Sequence, residues 1–200
     1  MKKKIFIQLA LLLFIFFVPI KSYAYSNEAK QFIFEIVTET KKILNSNLDK
    51  DSKSKQLGEI ALKTVDIKGI AYYTLGNYRK KLEGEAKQKY LNLFEKYFLK
   101  SFTSRLTDHS NPKIEVLEAE VLNSKYTIIK SVLLATTERP EVKIDWRVYT
   151  KDPNRLLIRD LSIEGLSLAR TQKEEFAAIL ESNNGELSEL FVKLEEFINK

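Results

Sequence analysis

The chain has a single imidazole, His109, set in the polar stretch Thr107-Asp108-His109-Ser110-Asn111-Pro112. One His and no Cys do not make a zinc or haem site of the usual kind, which draws on several nitrogen and sulfur ligands. A serine hydrolase would need that same His as its base, but no G-x-S-x-G elbow occurs, and Gly165-Leu166-Ser167 lacks the flanking glycine. Asp49-Lys50-Asp51 begins like a calcium loop, yet Ser54 and Ile60 stand where the loop needs Gly for its turn and Glu for bidentate ligation. Carboxylate pairs such as Glu118/Glu120 and Glu174/Glu175 are the ordinary solvated face of a chain with 30% charged residues. There is no Gly-rich phosphate loop and no dinucleotide fingerprint. The expectation is a protein that is not an enzyme and needs no metal or cofactor.

What remains is apolar surface. Tyr90, Phe94, Phe98, Phe102 and Leu106 recur every fourth residue, as on one side of a helix. Val142, Ile144, Trp146 and Val148 alternate with Lys143, Asp145, Arg147 and Tyr149, as on the two faces of a strand. Each row reads first as plain core. The functional alternative is that helices and a curved sheet enclose an apolar cleft, the usual site for a greasy ligand. Such a site needs no motif, because each buried CH₂ of an acyl chain contributes about 0.8 kcal/mol.

The elements that would hold these rows are legible from periodicity. Helical patterns cover residues 28–44 and 67–75, and between them a polar turn over 47–55 leads to a further helical stretch with Leu57, Ile60, Ala61 and Leu62 on its apolar side. Asp66 is placed as the N-cap of the helix over 67–75 and Gly76 as its stop. The aromatic row sits on a helix over 85–106. Past Pro112 the period changes to two, predicting strands at 113–122, 126–136, 141–150 and 155–163. Short connections such as Lys151-Asp152-Pro153-Asn154 make neighbouring strands antiparallel. Two helices close the chain, at 170–181 and 186–198, separated by Asn183-Asn184-Gly185. The fold class is α+β: helices, an antiparallel sheet of four or slightly more strands, then helices.

Lys2-Lys3-Lys4, the apolar run from Ile5 to Ile20 and Ser22-Tyr23-Ala24 have the order of a secretory signal, so residues 1–24 are expected to be removed and residues 25–200 to form one exported domain. The apolar run falls short of the ~20 residues of a spanning helix. No Cys follows it to carry a lipid anchor. Four of the 33 basic residues leave with the signal, so the remainder nearly balances the 27 acidic ones. That balance argues against a nucleic-acid partner, which calls for a marked basic excess on one face. Without disulfides, stability must come from a packed core.

Two stretches carry a resemblance. Val65-Asp66-Ile67-Lys68-Gly69-Ile70-Ala71-Tyr72-Tyr73-Thr74-Leu75-Gly76-Asn77-Tyr78-Arg79 is similar to the pattern D-x-x-x-I/M-A-x-x-x-L-G-x-W/Y-R of the MlaC, or toluene-tolerance auxiliary, family. Arg159-Asp160-Leu161-Ser162-Ile163-Glu164-Gly165-Leu166-Ser167-Leu168, followed by Thr171-Gln172-Lys173-Glu174-Glu175-Phe176, resembles its D-V-x-V-E-G-V-S-L and T-Q-R-x-E-F segments. Where that family usually has Trp before the second segment, this chain has Leu156-Leu157, and its one Trp is Trp146.

The resemblance implies a periplasmic carrier that maintains outer-membrane lipid asymmetry. It would shuttle a phospholipid between an outer-membrane lipoprotein complex and an inner-membrane ABC transporter with an MCE-domain subunit, docking transiently with both. The lipid is cargo rather than cofactor. Tyr72, Leu75, Tyr78, Phe94, Phe98, Ile144, Trp146 and Val148 are the candidate lining residues, from their apolar faces and, for the first three, from their place in the matched pattern. The competing reading is an envelope adaptor that binds proteins and no lipid, whose aromatic rows are ordinary core.

Overall fold

The computed structural model describes residues 21–107, 112–137 and 139–200. Residues 1–20 of the expected signal, and His109, lie outside the described residues. Helix α1 (Lys21–Leu44) turns Ala29, Ile33, Ile36 and Val37 inward, the three-and-four spacing of one face. Helix α2 (Lys50–Thr64) is capped by Asp49, whose carboxylate accepts the Ser52 N–H at 2.8 Å; the start of the calcium-like stretch is thus a helix cap. Leu57, Ile60 and Ala61 are buried, but Leu62 is 49% exposed, correcting its expected place on the apolar side. One residue advances a helix by ~100°, which carries Leu62 past the edge of the buried stripe.

Helix α3 (Ile67–Thr74) starts at the Asp66 cap and ends before Gly76, whose φ of +54° lets the chain turn into a 3-10 helix (Gly76–Lys81). Helix α4 (Gly84–Thr107) carries the aromatic row, of which only Tyr90 and Phe94 are fully buried. A row of every fourth residue gains about 40° per step on a helix of 3.6 residues per turn, so from Tyr90 to Leu106 it winds about 160° around the axis. It cannot serve a single face.

The sheet is an antiparallel meander: β1 (Ile114–Asn123), β2 (Tyr126–Leu133), β3 (Val142–Tyr149), β4 (Leu157–Ile163) and β5 (Leu166–Ser167). The fifth strand lies beyond the four that alternation revealed. Its two residues, turned back by Glu164 and Gly165 at φ +50° and +81°, pair with Ile163 and Ser162. A two-residue strand leaves no period to detect. The chain ends in α5 (Leu168–Ser182), capped by the Ser167 hydroxyl, and α6 (Leu187–Asn199).

Two apolar clusters hold these elements. One joins α3, α4, α5 and α6 around Leu75, Tyr90, Phe94, Phe176, Leu180 and Leu190. The other joins α1 and α2 to the sheet around Ile33, Leu57, Ile129, Val148 and Ile158. Val65, between α2 and α3, packs against both.

Candidate functional site

Helix α4 links the two clusters because its aromatic row winds. Tyr90, Phe94 and Phe98 belong to the helical cluster, whereas Leu106 packs against the sheet cluster. Phe102, between them, is half-buried and stacks on Phe98 with ring centroids 5.9 Å apart and planes 8° from parallel. Along its length α4 packs closely on α2, α3 and α6. The sheet's close helix neighbours are α1 over β1 and β2, and α3 and α5 over β4 and β5. Strand β3 lies between these two sets, with Ile144 and Trp146 on its inward face. The boundary between the two clusters is a seam, which Val65 touches on both sides.

The nominated residues fall on both sides of that seam. Leu75 and Phe94 are buried in the helical cluster, and Tyr72, Tyr78 and Phe98 pack half-buried against it. Val148 is buried in the sheet cluster and Trp146 packs against it. Ile144 is buried and belongs to neither. Five residues are thus brought together in one layer and two in the other. Phe102, which is not among the eight, stands between the two clusters because of the ~40° drift of a four-residue repeat.

The interior Trp and Tyr polar atoms are satisfied, whereas among the described residues the buried Nε of Arg139 and of Arg159 have no hydrogen-bond partner. The Trp146 indole donates to the Ser131 hydroxyl at 2.8 Å, which donates to the Ile144 carbonyl at 3.1 Å. The Tyr90 hydroxyl donates to the Ala71 carbonyl at 2.9 Å and lies 3.0 Å from Thr74 Oγ1; burial pushes its pKa far above the ordinary tyrosine range. Tyr97 donates to Gln172 at 2.6 Å, and its pKa is raised by burial and by the charge of Glu175.

The two sequence patterns meet at the edge of the seam. Arg159 is the extra residue of a bulge in β4, since Arg147 pairs with Asp160 and Val148 with Ile158. Its guanidinium lies 2.6 Å from the Asp66 carboxylate, donates to Tyr126 Oη at 3.2 Å and covers the Tyr149 ring at 4.5 Å. Burial works against that charge, but Asp66 and the two tyrosines outweigh it and raise the guanidinium's pKa. Asp160 accepts from the Ser167 hydroxyl at 2.6 Å and from the Ala169 N–H at 3.1 Å, fixing the start of α5. The matched polar residues thus fasten helices to the sheet.

Two surface concavities lie elsewhere. One of about 530 Å³ sits between α1 and α2, where Glu39, Lys55, Glu59 and Lys63 surround Ile43 and Ile60. The other, of about 480 Å³, lies beside α1 at Phe32 and Leu156. Neither is lined by any of the eight nominated residues. Among the described residues no group of His, Asp and Glu is placed to hold a metal ion, and no helix is long and apolar enough to cross a membrane.

In fold the chain is similar to the phospholipid-binding protein from Ralstonia solanacearum, solved in complex with a phospholipid; the TM-score is 0.72 at 21% identity, over 86% of this chain and 97% of that one. Among curated proteins no sequence matches. The family model described as MlaC protein matches residues 29–196, from the first buried turn of α1 to the last turn of α6, and the chain belongs to the MlaC family.

Proposed function

We propose that this protein is an exported phospholipid carrier whose acyl-chain site is the seam between the helical layer and the sheet. The observation that carries this reading is the division of the core. Each layer keeps an apolar cluster of its own, and among the described residues Val65 alone packs against both. Parting them would expose the Phe98–Phe102 side of α4 and the Ile144–Trp146 side of β3 and open each cluster on the side that faces the seam. A lipid entering there leaves one oily environment for another, so the net transfer energy is small although burial from water is large. Tyr72, Leu75, Tyr78, Phe94, Phe98, Ile144, Trp146 and Val148 are proposed to line the opened site, with Phe102 added.

Membership in the MlaC family supports the wider reading. The protein works in the periplasm after loss of residues 1–24, taking phospholipid between an outer-membrane lipoprotein complex and an inner-membrane MCE-type ABC transporter. It catalyses no reaction and serves outer-membrane lipid asymmetry. Transfer of a fluorescent phospholipid from donor to acceptor vesicles tests the carrier step: the exported protein should raise the rate in proportion to its concentration. A rate equal to that of vesicles alone contradicts it.

One observation favours the adaptor reading: the nominated aromatic residues are packed, and the two concavities lie away from them. That reading requires the protein to hold no lipid under any condition.

A further inference from the structure

The 3-10 helix and the helix ends around it form a basic, tyrosine-lined surface. Arg79, Lys80, Lys81 and Lys87 are exposed and Lys173 is half-buried; among the described residues none of the five is in an ion pair. Three of the cations lie over tyrosine rings: Lys81 over Tyr78 at 5.5 Å, Lys87 over Tyr72 at 5.8 Å and Lys173 over Tyr73 at 5.4 Å. Lys173 reaches the 3-10 helix itself, its Cε 3.1 Å from where a Cβ would stand on Gly76. Glu83, Glu85 and Glu174 adjoin these cations in sequence, and Glu186 follows Gly185, which abuts Tyr78 and Lys81; the five cations outnumber these four carboxylates by one.

We propose that this surface seats the protein directly on an anionic lipid bilayer, through phosphate headgroups. Charge complementarity is the first argument, and composition is the second. Four of the five cations are Lys, which protein–protein interfaces tend to exclude but which suits a diffuse layer of phosphates. Tyrosines beneath long basic side chains match the headgroup level of a membrane, where an aromatic ring meets the apolar boundary and the ammonium stays in water. This goes beyond cargo binding, because the surface acts with or without a lipid in the seam.

The test is flotation of the exported protein with vesicles of phosphatidylcholine alone, or of phosphatidylcholine mixed with phosphatidylglycerol. The expected result is binding only to the mixed vesicles, falling steeply from low to physiological salt. Lys80→Glu, Lys81→Glu and Lys87→Glu together should weaken it by at least about 100-fold, since each basic residue near such a surface is worth about fivefold in affinity. Reversing Lys125, Lys151 and Arg155, exposed in the turns of the sheet, should leave it intact. Equal binding by the triple variant, or no binding of the unaltered protein to anionic vesicles, overturns the proposal. So does capture by immobilised polyglutamate without any by vesicles, which would assign the surface to an acidic protein. Native mass spectrometry of the same protein after removal of the vesicles keeps the two proposals apart: a protein that floats with anionic vesicles yet stays bare of lipid after exposure to them contradicts the carrier and leaves the docking surface standing.

Discussion

Arg159 and Asp66, from different halves of the fold, are joined at 2.6 Å. Asp66 also caps α3, its Oδ1 accepting the Gly69 N–H at 2.9 Å, while its own N–H donates to the Ile158 carbonyl at 2.9 Å. One carboxylate therefore ends a helix and ties that helix to the bulge of β4. The same crossing carries a short parallel bridge between Val65 and Ile158, next to the residue that packs against both clusters. If the two layers part, this crossing is where they stay joined.

The crossing makes Gly69 and Asp66 energetically one site. A Cβ on Gly69 would lie 2.3 Å from Asp66 Oδ2, so Gly69→Ala must push away a carboxylate that Arg159 already holds. Asp66→Ala is expected to cost about 1–2 kcal/mol, mostly the lost cap, because the ion pair is partly open to solvent. Gly69→Ala should cost a similar amount. In the double variant the two should fall well short of adding, as expected of residues sharing one interaction. Urea unfolding of the four proteins checks this.

Tyr90 supplies a dependence on alkaline pH. Its folded pKa lies above the unfolded value near 10, so the folded state holds the proton more tightly and the stabilisation is complete below pH ~10. As pH rises further the unfolded chain ionises first, and that contribution drains away. Tyr97 acts in the same direction. Thermal unfolding should therefore show stability falling above pH ~10, with a shallower fall in Tyr90→Phe. At neutral pH that variant should lose about 1–2 kcal/mol with the bonds to Ala71 and Thr74.

Trp146 is the only tryptophan, so its fluorescence reports one place. Phospholipid with bromine on its acyl chains should quench it on binding, whereas bromine confined to the headgroup should not. Binding without quenching would move the acyl chains away from β3. Trp146→Phe should still bind, because it keeps an apolar ring while losing the bond to Ser131.

Much of the fold is written in local chemistry. The Asp66 cap and the alternation of Val142 to Tyr149 each use neighbours a few residues apart, which a sequence displays directly. Asp66 was readable as a cap, but its partnership with Arg159 depends on a bulge that no period announces. The aromatic row of α4 was visible as a row, yet its division between two clusters follows from the arithmetic of helix rotation over its full length. Leu62 shows the same limit on a smaller scale: apolar type placed it inside, and one residue of rotation placed it outside. The eight lining candidates were chosen as apolar faces, and a face does not say whether what covers it is fixed or separable.

Carriage of phospholipid is tested most directly by native mass spectrometry of residues 25–200, purified from a periplasmic extract without detergent. The expected mass exceeds that of the polypeptide by one phospholipid, which is lost on solvent extraction and regained on incubation with vesicles. A bare polypeptide mass that stays bare after vesicles are offered would contradict it and leave the adaptor.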